Sequence, residues 1–340
     1  MNRRRLFAAA GVALFAFAAG QGGARAQDII IGYQLVYNPW KVAIADDKFS
    51  EATGLKVEYR QFDSGAKVIA AMASGDVQVA LAGSSPIAAG VSQGVDMELV
   101  WIVEDIASAE ALVVRNGSGI DPSDPNTLKG KKLGVPFVST THFHTLFALE
   151  LWGIDPNELE ILNLQPPQIV AAWERGDIDA AFVWDPALGK IKQSGEVMIT
   201  SGELSAKGKA TFDGLVANKS WAEENPEVMA KIIRVIADAD EAYRSNPDAW
   251  TPDSEPVQKI VSVVGGNPED VPKVLALYNF PTIEEQISCR WLGCGADGGA
   301  AKALMFTSEF LKDQKKIPAV LDDYSQFVTP KFAEMAMEMQ

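Results

Sequence analysis

Two stretches of this chain, VIAAMASGDVQVALA at residues 68–82 and IVAAWERGDIDAAFV at residues 169–183, align without gaps. Each stretch begins with a helical pattern, ends that helix at a glycine, Gly75 or Gly176, and continues into an apolar strand. A proline after each strand, Pro86 or Pro186, predicts that another helix follows. Chance similarity between ordinary helix–strand units is the alternative, but the repeat favours two related α/β lobes.

The rest of the chain continues this alternation. Short strand-like runs are separated by helical patterns, which predicts largely parallel sheets. Beyond Ser220 the pattern becomes helical, and we expect this tail to wrap the first lobe. We assign residues 27–113 and 214–340 to the first lobe with its tail, and residues 114–213 to the second lobe. The predicted strands include 29–33, 57–61, 99–103, 132–136 and 160–163, and the predicted tail helices are 226–244, 256–264, 268–278 and 300–314.

The first 26 residues have the pattern of an export signal. Residues 3–5 are arginines, residues 6–20 form an apolar run, and residues 24–26 form an A-x-A cleavage motif. A buried N-terminal helix is the alternative, but it leaves the arginines unexplained. We therefore expect export, by the general or the twin-arginine route, with cleavage after Ala26.

The composition excludes several classes of function. The formal net charge is −15 over 340 residues, so nucleic-acid backbones and anionic membrane surfaces are repelled. Two histidines and two cysteines are too few for a four-ligand Cys/His zinc site without help from carboxylates. Common nucleotide-binding, hydrolase and metalloprotease motifs are missing, so we predict no catalytic residue, metal or cofactor. In an oxidising compartment Cys289 and Cys294 are candidates for a disulfide, and two free thiols are the alternative.

Clustered hydroxyl groups precede two of the predicted helices. Residues 139–141 are Ser-Thr-Thr and lie between a strand and a helix that starts near His142. The free N–H groups and the dipole of a helix N-terminus attract an anion, and hydroxyl donors add to that attraction. Plain N-capping explains one of the hydroxyls but not three. The residues predicted to hold an anion are Ser84, Ser85, Thr140, Thr141 and His142.

Two carboxylates occupy matched positions. Glu110 and Asp213 each precede a Leu-Val strand by two residues, and in a two-lobed protein these strands would cross between the lobes. Strand periodicity leaves open whether the acids face the cleft or solvent. If they face the cleft, the site suits a small molecule with one anionic and one cationic end. Trp184 and, more weakly, Trp40 are candidate aromatic walls, with ordinary core positions as the alternative.

Several strings also resemble one family of binding proteins. The most distinctive are STTH at residues 139–142 and LQPP at residues 164–167, supported by GSSP at 83–86 and SAEALVV at 108–114. These strings are similar to the taurine-binding branch of the nitrate, sulfonate and taurine solute-binding proteins of bacterial ABC importers. The likeness covers nearly the whole chain after the leader. The chain departs from the family pattern around residues 35–40 and at Asp185.

This resemblance implies a type II periplasmic binding fold, in which two α/β lobes joined by two crossing strands close on a ligand. It implies a monomer in the periplasm that delivers taurine to an ABC permease and its ATPase. Another small sulfonate or zwitterion, such as an alkanesulfonate or hypotaurine, is the alternative ligand. A pyridoxal-phosphate enzyme of the same fold and a sensor subunit are alternatives from other classes. The residues carried over are Gln34, Ser84, Ser85, Thr140, Thr141 and His142 around the sulfonate, Glu110 and Asp213 at the ammonium, and Trp184 at the wall.

Overall fold

The computed structural model describes residues 29–339, which form two α/β lobes, each built on a five-stranded sheet. The predicted leader, residues 1–26 with cleavage after Ala26, lies outside the described residues. Across the described part of the chain, no helix has both the length and the apolar character needed to cross a bilayer.

The strands are β1 (Ile29–Gln34), β2 (Val57–Phe62), β3 (Val79–Gly83), β4 (Glu98–Asp105), β5 (Glu110–Arg115), β6 (Lys132–Val135), β7 (Glu160–Asn163), β8 (Ala180–Trp184), β9 (Gly195–Thr200) and β10 (Phe212–Ala217).

The helices cover both faces of the sheets and form the tail. In the lobes they are α1 (Lys41–Ala45), α2 (Lys48–Thr53), α3 (Gly65–Ala73), α4 (Ser84–Ser92), α5 (Thr140–Leu151), α6 (Pro166–Arg175), α7 (Ala187–Lys192) and α8 (Ser201–Ser205). In the tail they are α9 (Lys219–Glu224), α10 (Pro226–Ser245), α11 (Glu255–Val264), α12 (Val271–Leu275), α13 (Ile283–Ile287), α14 (Gly299–Asp313) and α15 (Lys331–Met337).

The two sheets have the same topology. Their strand orders are β2-β1-β3-β10-β4 and β7-β6-β8-β5-β9. In each sheet one strand, β10 or β5, runs antiparallel to both of its neighbours, while the other recorded pairings are parallel. The repeated stretches supply the central strands, β3 and β8. The prediction of two related α/β lobes with largely parallel sheets is therefore confirmed.

The helices that precede these central strands end at the predicted glycines. Gly75 has φ +82° and Gly176 has φ +78°, a left-handed conformation that glycine adopts without the steric cost of a Cβ atom. The next helices, α4 and α7, begin one and three residues after the central strands end. The sequence pattern therefore located both ends of the repeated unit.

The crossings between the lobes differ from the expected boundaries. β4 pairs in the first sheet and β5 in the second, so the first crossing lies at residues 106–109. The second crossing, between β9 and β10, lies at residues 201–211 and contains α8. The expected boundaries at 113/114 and 213/214 each fall inside a strand. Both strands pair with neighbours on each side within one sheet, so a short turn and α8 connect the lobes instead of two crossing strands.

The helical tail contacts both lobes. α10 packs against α2 and α14 packs against α4, so these helices cover the first lobe as expected. Val257 and Val271 of the tail, however, share an apolar cluster with Trp184 and Leu188 of the second lobe. The predicted helices 226–244, 256–264 and 300–314 match α10, α11 and α14, whereas 268–278 contains only the short α12.

Cys289 and Cys294 are joined by a disulfide, with a Cα–Cα distance of 5.0 Å. We expect replacement of both cysteines by serine to lower the free energy of unfolding by about 2 kcal/mol, because the bond restricts the unfolded chain through a short loop. Denaturant titration of the chain with and without the two cysteines measures this loss. Equal midpoints and slopes would show that the bond does not contribute to stability.

Candidate ligand-binding site

A small cavity of about 10 Å³ lies between the two lobes, and both lobes and the tail contribute to its wall. Open α/β sheets bind ligands at the carboxyl ends of their strands. Gln34, Gly83 and Trp184 are the last residues of β1, β3 and β8, and all three line the cavity. The cavity therefore lies where the topology of the two sheets places a ligand.

Five of the residues predicted from the sequence line this cavity: Gln34, Glu110, Thr140, Trp184 and Asp213. The antiparallel strands explain why both acids are among them. Glu110 pairs with Trp184, and Asp213 pairs with Gly83. The beginnings of β5 and β10 consequently lie at the same sheet edges as the ends of their neighbours. Both carboxylates therefore line one cavity. Strand periodicity alone did not show whether they face the cleft or solvent.

Glu110 is held by two hydroxyl groups. Its Oε1 accepts a hydrogen bond from Thr140 Oγ1 at 2.6 Å, and its Oε2 lies 3.1 Å from Ser201 Oγ. The side chain is buried. Burial raises the pKa of Glu110 to about 8, and the neighbouring charge of Asp213 adds to this effect. A cation that enters the cavity favours the charged form of this carboxyl.

A buried ionic network lies behind Asp213. Glu104, its neighbour across the sheet, accepts hydrogen bonds from Asn38 Nδ2 at 3.2 and 3.4 Å, and Lys41 Nζ donates to Asn38 Oδ1 at 2.9 Å. Burial raises the pKa values of Glu104 and Asp213 and lowers the pKa of Lys41. One lysine faces two carboxyls in this network. Asp213, which lines the cavity, therefore gains from a cationic ligand group.

The candidate anion-binding groups lie at the starts of two helices. Ser139 Oγ caps α5 by accepting a hydrogen bond from His142 N at 3.0 Å, and Ser139 itself lines the cavity. At the start of α4, Ser84 Oγ and Ser85 Oγ are buried and have no hydrogen-bond partner within residues 29–339. A buried hydroxyl without a partner costs free energy. Neither serine lines the cavity, although Gly83 and Pro86 on either side of them do. An anionic oxygen would satisfy these donors only by reaching this helix start.

Thr141 and His142 do not line the cavity. Thr141 Oγ1 pairs with Ser139 Oγ at 2.8 Å, while the His142 ring stacks on Phe137 with centroids 4.6 Å apart. His142 Nδ1 also accepts from Val138 N at 3.3 Å. Successive residues of a helix point about 100° apart, so three consecutive side chains at the start of α5 do not reach one ligand together. Thr140 is the one that lines the cavity.

Trp40 lies in the core of the first lobe, away from the cavity. Its ring is fully buried and meets Phe49 edge to face, with centroids 5.9 Å apart. Lys41 Nζ lies 4.2 Å from the centroid of the same ring. Trp40 is therefore an ordinary core tryptophan, the alternative stated above, and we leave it out of the proposed site. Trp184, in contrast, lines the cavity.

Sequence reasoning missed Tyr278, which lines the cavity from the tail. Tyr278 is buried, and burial together with the surrounding carboxylates raises the pKa of its phenol. Nothing in the local pattern around residue 278 indicates this role, because the tail reaches the cavity only through tertiary packing. Throughout residues 29–339, no group of three or more His, Cys, Asp or Glu side chains is arranged to hold a metal ion.

A second, more open pocket of about 280 Å³ adjoins the cavity at Trp184. Its wall is largely apolar and includes Leu35, Val170 and Pro186, with Lys190 among the lining residues. Trp184 is shared by both spaces. Trp184 therefore borders both a small polar cavity and a larger apolar pocket.

Comparisons with known proteins agree with this architecture. The taurine-binding periplasmic protein of Escherichia coli (strain K12) is 41% identical over 323 residues, which cover 95% of this chain and 97% of that protein. A putative aliphatic sulfonates-binding protein of Bacillus subtilis (strain 168) is 28% identical over 214 residues, 62% of this chain and 63% of that protein. The crystal structure of the periplasmic aliphatic sulphonate binding protein SsuA from Escherichia coli has a TM-score of 0.70 at 18% identity, over 91% of this chain and 99% of that chain.

All three of these relatives are named as binding proteins. The likeness to the solved sulphonate-binding structure shows the shared two-lobed fold. The sequence model of the NMT1-like family matches residues 22–251, more than half of the chain. Together with the 41% identity to the Escherichia coli protein, this match shows that the chain belongs to the NMT1-like family.

Proposed function

We propose that this chain is the substrate-binding component of an ABC importer and that it binds taurine in the periplasm. The observation that carries this proposal is the position of Glu110 and Asp213 in one small cavity beside the starts of α4 and α5. Taurine joins a sulfonate to an ammonium through two carbons, so it offers both charges that the cavity attracts. The 41% identity to a taurine-binding relative supports the same ligand.

In the proposed complex, Glu110 and Asp213 bind the ammonium group. The sulfonate takes donors from the starts of α4 and α5, which include the hydroxyls of Ser84 and Ser85. Gln34 and Trp184 complete the wall. Taurine has about seven heavy atoms, so a ceiling of ~1.5 kcal/mol per atom limits the binding free energy to about 10 kcal/mol. The tightest Kd expected on this basis is on the order of tens of nanomolar.

The same proposal covers transport. A monomer that closes around taurine in the periplasm would present the closed lobes to a membrane permease driven by its ATPase. Support comes from the export pattern at residues 1–26 and from relatives named as periplasmic or sulfonate-binding proteins. Uptake of labelled taurine in cells with and without the gene tests this step. Unchanged uptake together with a lost taurine response would instead indicate a sensor subunit.

Calorimetric titration of residues 27–340 with taurine, ethanesulfonate and β-alanine tests the ligand. Taurine carries both a sulfonate and an ammonium, whereas ethanesulfonate lacks the amine and β-alanine carries a carboxylate in place of the sulfonate. We expect strong binding of taurine alone, because both charged groups contribute to affinity. Equal binding of ethanesulfonate would contradict the role of the two carboxylates. No heat from any of the three compounds would overturn the choice of ligand.

A larger aliphatic sulfonate is the second candidate ligand. The apolar pocket of about 280 Å³ beside Trp184 offers space for a hydrocarbon chain that the polar cavity does not. This ligand requires the Trp184 ring to move aside. A series of alkanesulfonates of increasing length distinguishes the candidates, because affinity rises with length only if the chain enters the apolar pocket.

A further inference from the structure

A chain of hydrogen bonds links Glu110 to the segment that connects the lobes. Glu110 Oε2 lies 3.1 Å from Ser201 Oγ, and Ser201 Oγ lies 2.8 Å from His144 Nδ1. On the other side of the ring, His144 Nε2 lies 2.8 Å from the backbone oxygen of Lys209. The side chains of Glu110, Ser201 and His144 are all buried. Each contact is within hydrogen-bond distance, so each requires one hydrogen atom with a defined donor.

The direction of these hydrogen bonds follows from the last acceptor in the series, the backbone oxygen of Lys209. A backbone oxygen only accepts, so His144 Nε2 carries a hydrogen atom and donates it to Lys209. Burial lowers the pKa of His144 to about 4, so the ring is neutral near pH 7. A neutral imidazole has one N–H group, which leaves Nδ1 as an acceptor. The opposite tautomer would place the lone pair of Nε2 against a carbonyl oxygen at 2.8 Å.

The remaining hydrogen atoms are then assigned. Ser201 has one hydroxyl hydrogen, and it is donated to His144 Nδ1. Ser201 Oγ is therefore an acceptor toward Glu110, and the hydrogen atom in that contact belongs to Glu110 Oε2. Thr140 donates to the other oxygen, Oε1, at 2.6 Å. The contacts among Glu110, Ser201, His144 and the Lys209 oxygen are all hydrogen bonds only if Glu110 is a neutral carboxylic acid.

We propose that Glu110 carries a proton in the unliganded protein, that Ser201 and His144 hold this proton as positioning residues, and that a cationic ligand group displaces it into solvent. In this step the O–H bond at Glu110 Oε2 breaks and the proton passes to water. The ligand ammonium then supplies the positive charge beside the ionised carboxylate. The inference rests on the proposed function, because it describes how the same site accepts an ammonium group.

Burial and the nearby negative charge favour the protonated form of Glu110, whereas the hydrogen bond from Thr140 lowers its pKa. Asp213 on β10 contributes negative charge, and Tyr278, which follows α12, contributes a neutral phenol. Thr140 on α5 and Trp184 on β8 contribute no charge. Glu104 and Lys41 lie farther back, behind Asp213. Consistently, burial and Asp213 together raise the pKa of Glu110 to about 8.

The positioning residues also involve the connection between the lobes. Ser201 begins α8, and both Ser201 and Lys209 lie in residues 201–211, the second crossing. His144 on α5 contacts both of them. Once Glu110 is ionised, it accepts a hydrogen bond from the Ser201 hydroxyl, which donated to His144 Nδ1 in the unliganded protein. Binding of a cation therefore changes the hydrogen bonds of the connecting segment as well as those of the cavity.

Infrared spectroscopy of the unliganded protein at pH 7 tests the proton directly, without a ligand. We expect a C=O band of a protonated carboxylic acid that disappears in the Glu110→Gln variant. Asp240→Asn is the matched control, because Asp240 is fully buried in the first lobe and burial raises its pKa well above the ordinary value. The control variant should lose a different band and keep that of Glu110. The lack of any Glu110-dependent band at pH 7 would overturn the inference.

Taurine titration in buffers with different ionisation enthalpies tests the displacement. We expect about one proton to be released per taurine bound at pH 7, and the affinity to rise about tenfold per pH unit between about pH 6.5 and 7.5. The sign follows because a raised pKa leaves Glu110 protonated below about pH 8, so binding at lower pH must first remove the proton. Taurine binding with no proton release would overturn the inference.

The His144→Phe variant tests the positioning role. Phenylalanine removes the acceptor at Nδ1, so Ser201 is free to donate to Glu110 and stabilises the ionised carboxylate. We expect proton release at pH 7 to fall well below that of the unaltered chain, and the pH dependence of affinity to flatten. A variant that melts as a folded protein and releases as many protons as the parent would contradict this role.

The two proposals fail in different ways. If taurine gives no heat while the Glu110 band is present in the unliganded protein, the choice of taurine is wrong and the protonated carboxyl stands. If taurine binds tightly and the band is absent, the proposed function stands and the protonated carboxyl is wrong. Loss of the Glu110 band on addition of taurine supports both proposals.

Discussion

Replacement of Asp213 by asparagine is expected to weaken taurine binding by about tenfold to a hundredfold, because a hydrogen bond to a charged group contributes roughly 1.5–3 kcal/mol. Asp213 lines the cavity. Among the described residues that shift the pKa of Asp213, Lys41 is the only cation. Glu104 competes for the same lysine. Asparagine keeps the shape of the side chain but removes the charge that an ammonium group needs.

Calorimetric titration of the Asp213→Asn variant with taurine and ethanesulfonate measures this effect. Ethanesulfonate has no amine, so its affinity should stay the same or rise when the negative charge is removed. Asp240→Asn is the matched control, since it removes another buried carboxyl from the first lobe outside the cavity. An unchanged Kd for taurine in the Asp213→Asn variant would remove this carboxylate from the ammonium site.

Replacement of Gly83 by alanine is the second substitution for which we expect a large effect. Gly83 ends β3 in the first lobe, and a Cβ atom at this position would lie 2.8 Å from Thr140 Cγ2 of the second lobe and 3.2 Å from Asp213 Oδ1. The backbone at Gly83, with φ −68° and ψ 159°, suits alanine without strain. The extra methyl group therefore acts mainly through its contact with Thr140 across the lobes and, less closely, through its contact with Asp213. We expect taurine binding to weaken by about tenfold to a hundredfold, because overpacking costs roughly 1–3 kcal/mol.

A second substitution shows whether this contact is the cause. Serine at position 140 keeps the hydroxyl that bonds Glu110 but lacks the Cγ2 atom that meets the new methyl group. The double variant Gly83→Ala with Thr140→Ser should therefore recover much of the lost affinity. Thermal melting should change less in the single variant, because the nearest atoms within the first lobe, Asp213 Oδ1 and Pro86 Cδ, would lie 3.2 and 3.6 Å from the new methyl group. No recovery in the double variant would show that the clash between lobes is not the reason for weaker binding.

Local features of the sequence determined the repeated unit and its ends. The matched stretches at residues 68–82 and 169–183 predicted both central strands, because apolar runs and helix-ending glycines depend on a few neighbouring residues. The long tail helices α10, α11 and α14 were predicted for the same reason. β9 was not predicted, since its residues Gly195–Thr200 are mostly half-buried or exposed and carry a weak apolar signal.

The candidate site was predicted in part. Matched placement singled out Glu110 and Asp213, and the structure shows both in one cavity. The sequence did not reveal Glu104 or Lys41 behind Asp213, because these residues are brought together by pairing of β10 with β4 and by packing of α1. It also did not reveal the contacts of His144, which involve residues more than fifty positions away.

The sequence by itself determined the two related lobes, the helix starts rich in hydroxyl groups and the two matched carboxylates. Tertiary structure decided which of these groups reach the ligand cavity. The antiparallel pairing of β5 and β10 turned both acids toward it, and the helical rotation between neighbouring residues left Thr140 in the wall while Thr141 and His142 point elsewhere. Packing of the tail added Tyr278. The physical reason is that the direction of a side chain depends on distant partners in the sheet and core, which the neighbouring sequence does not contain.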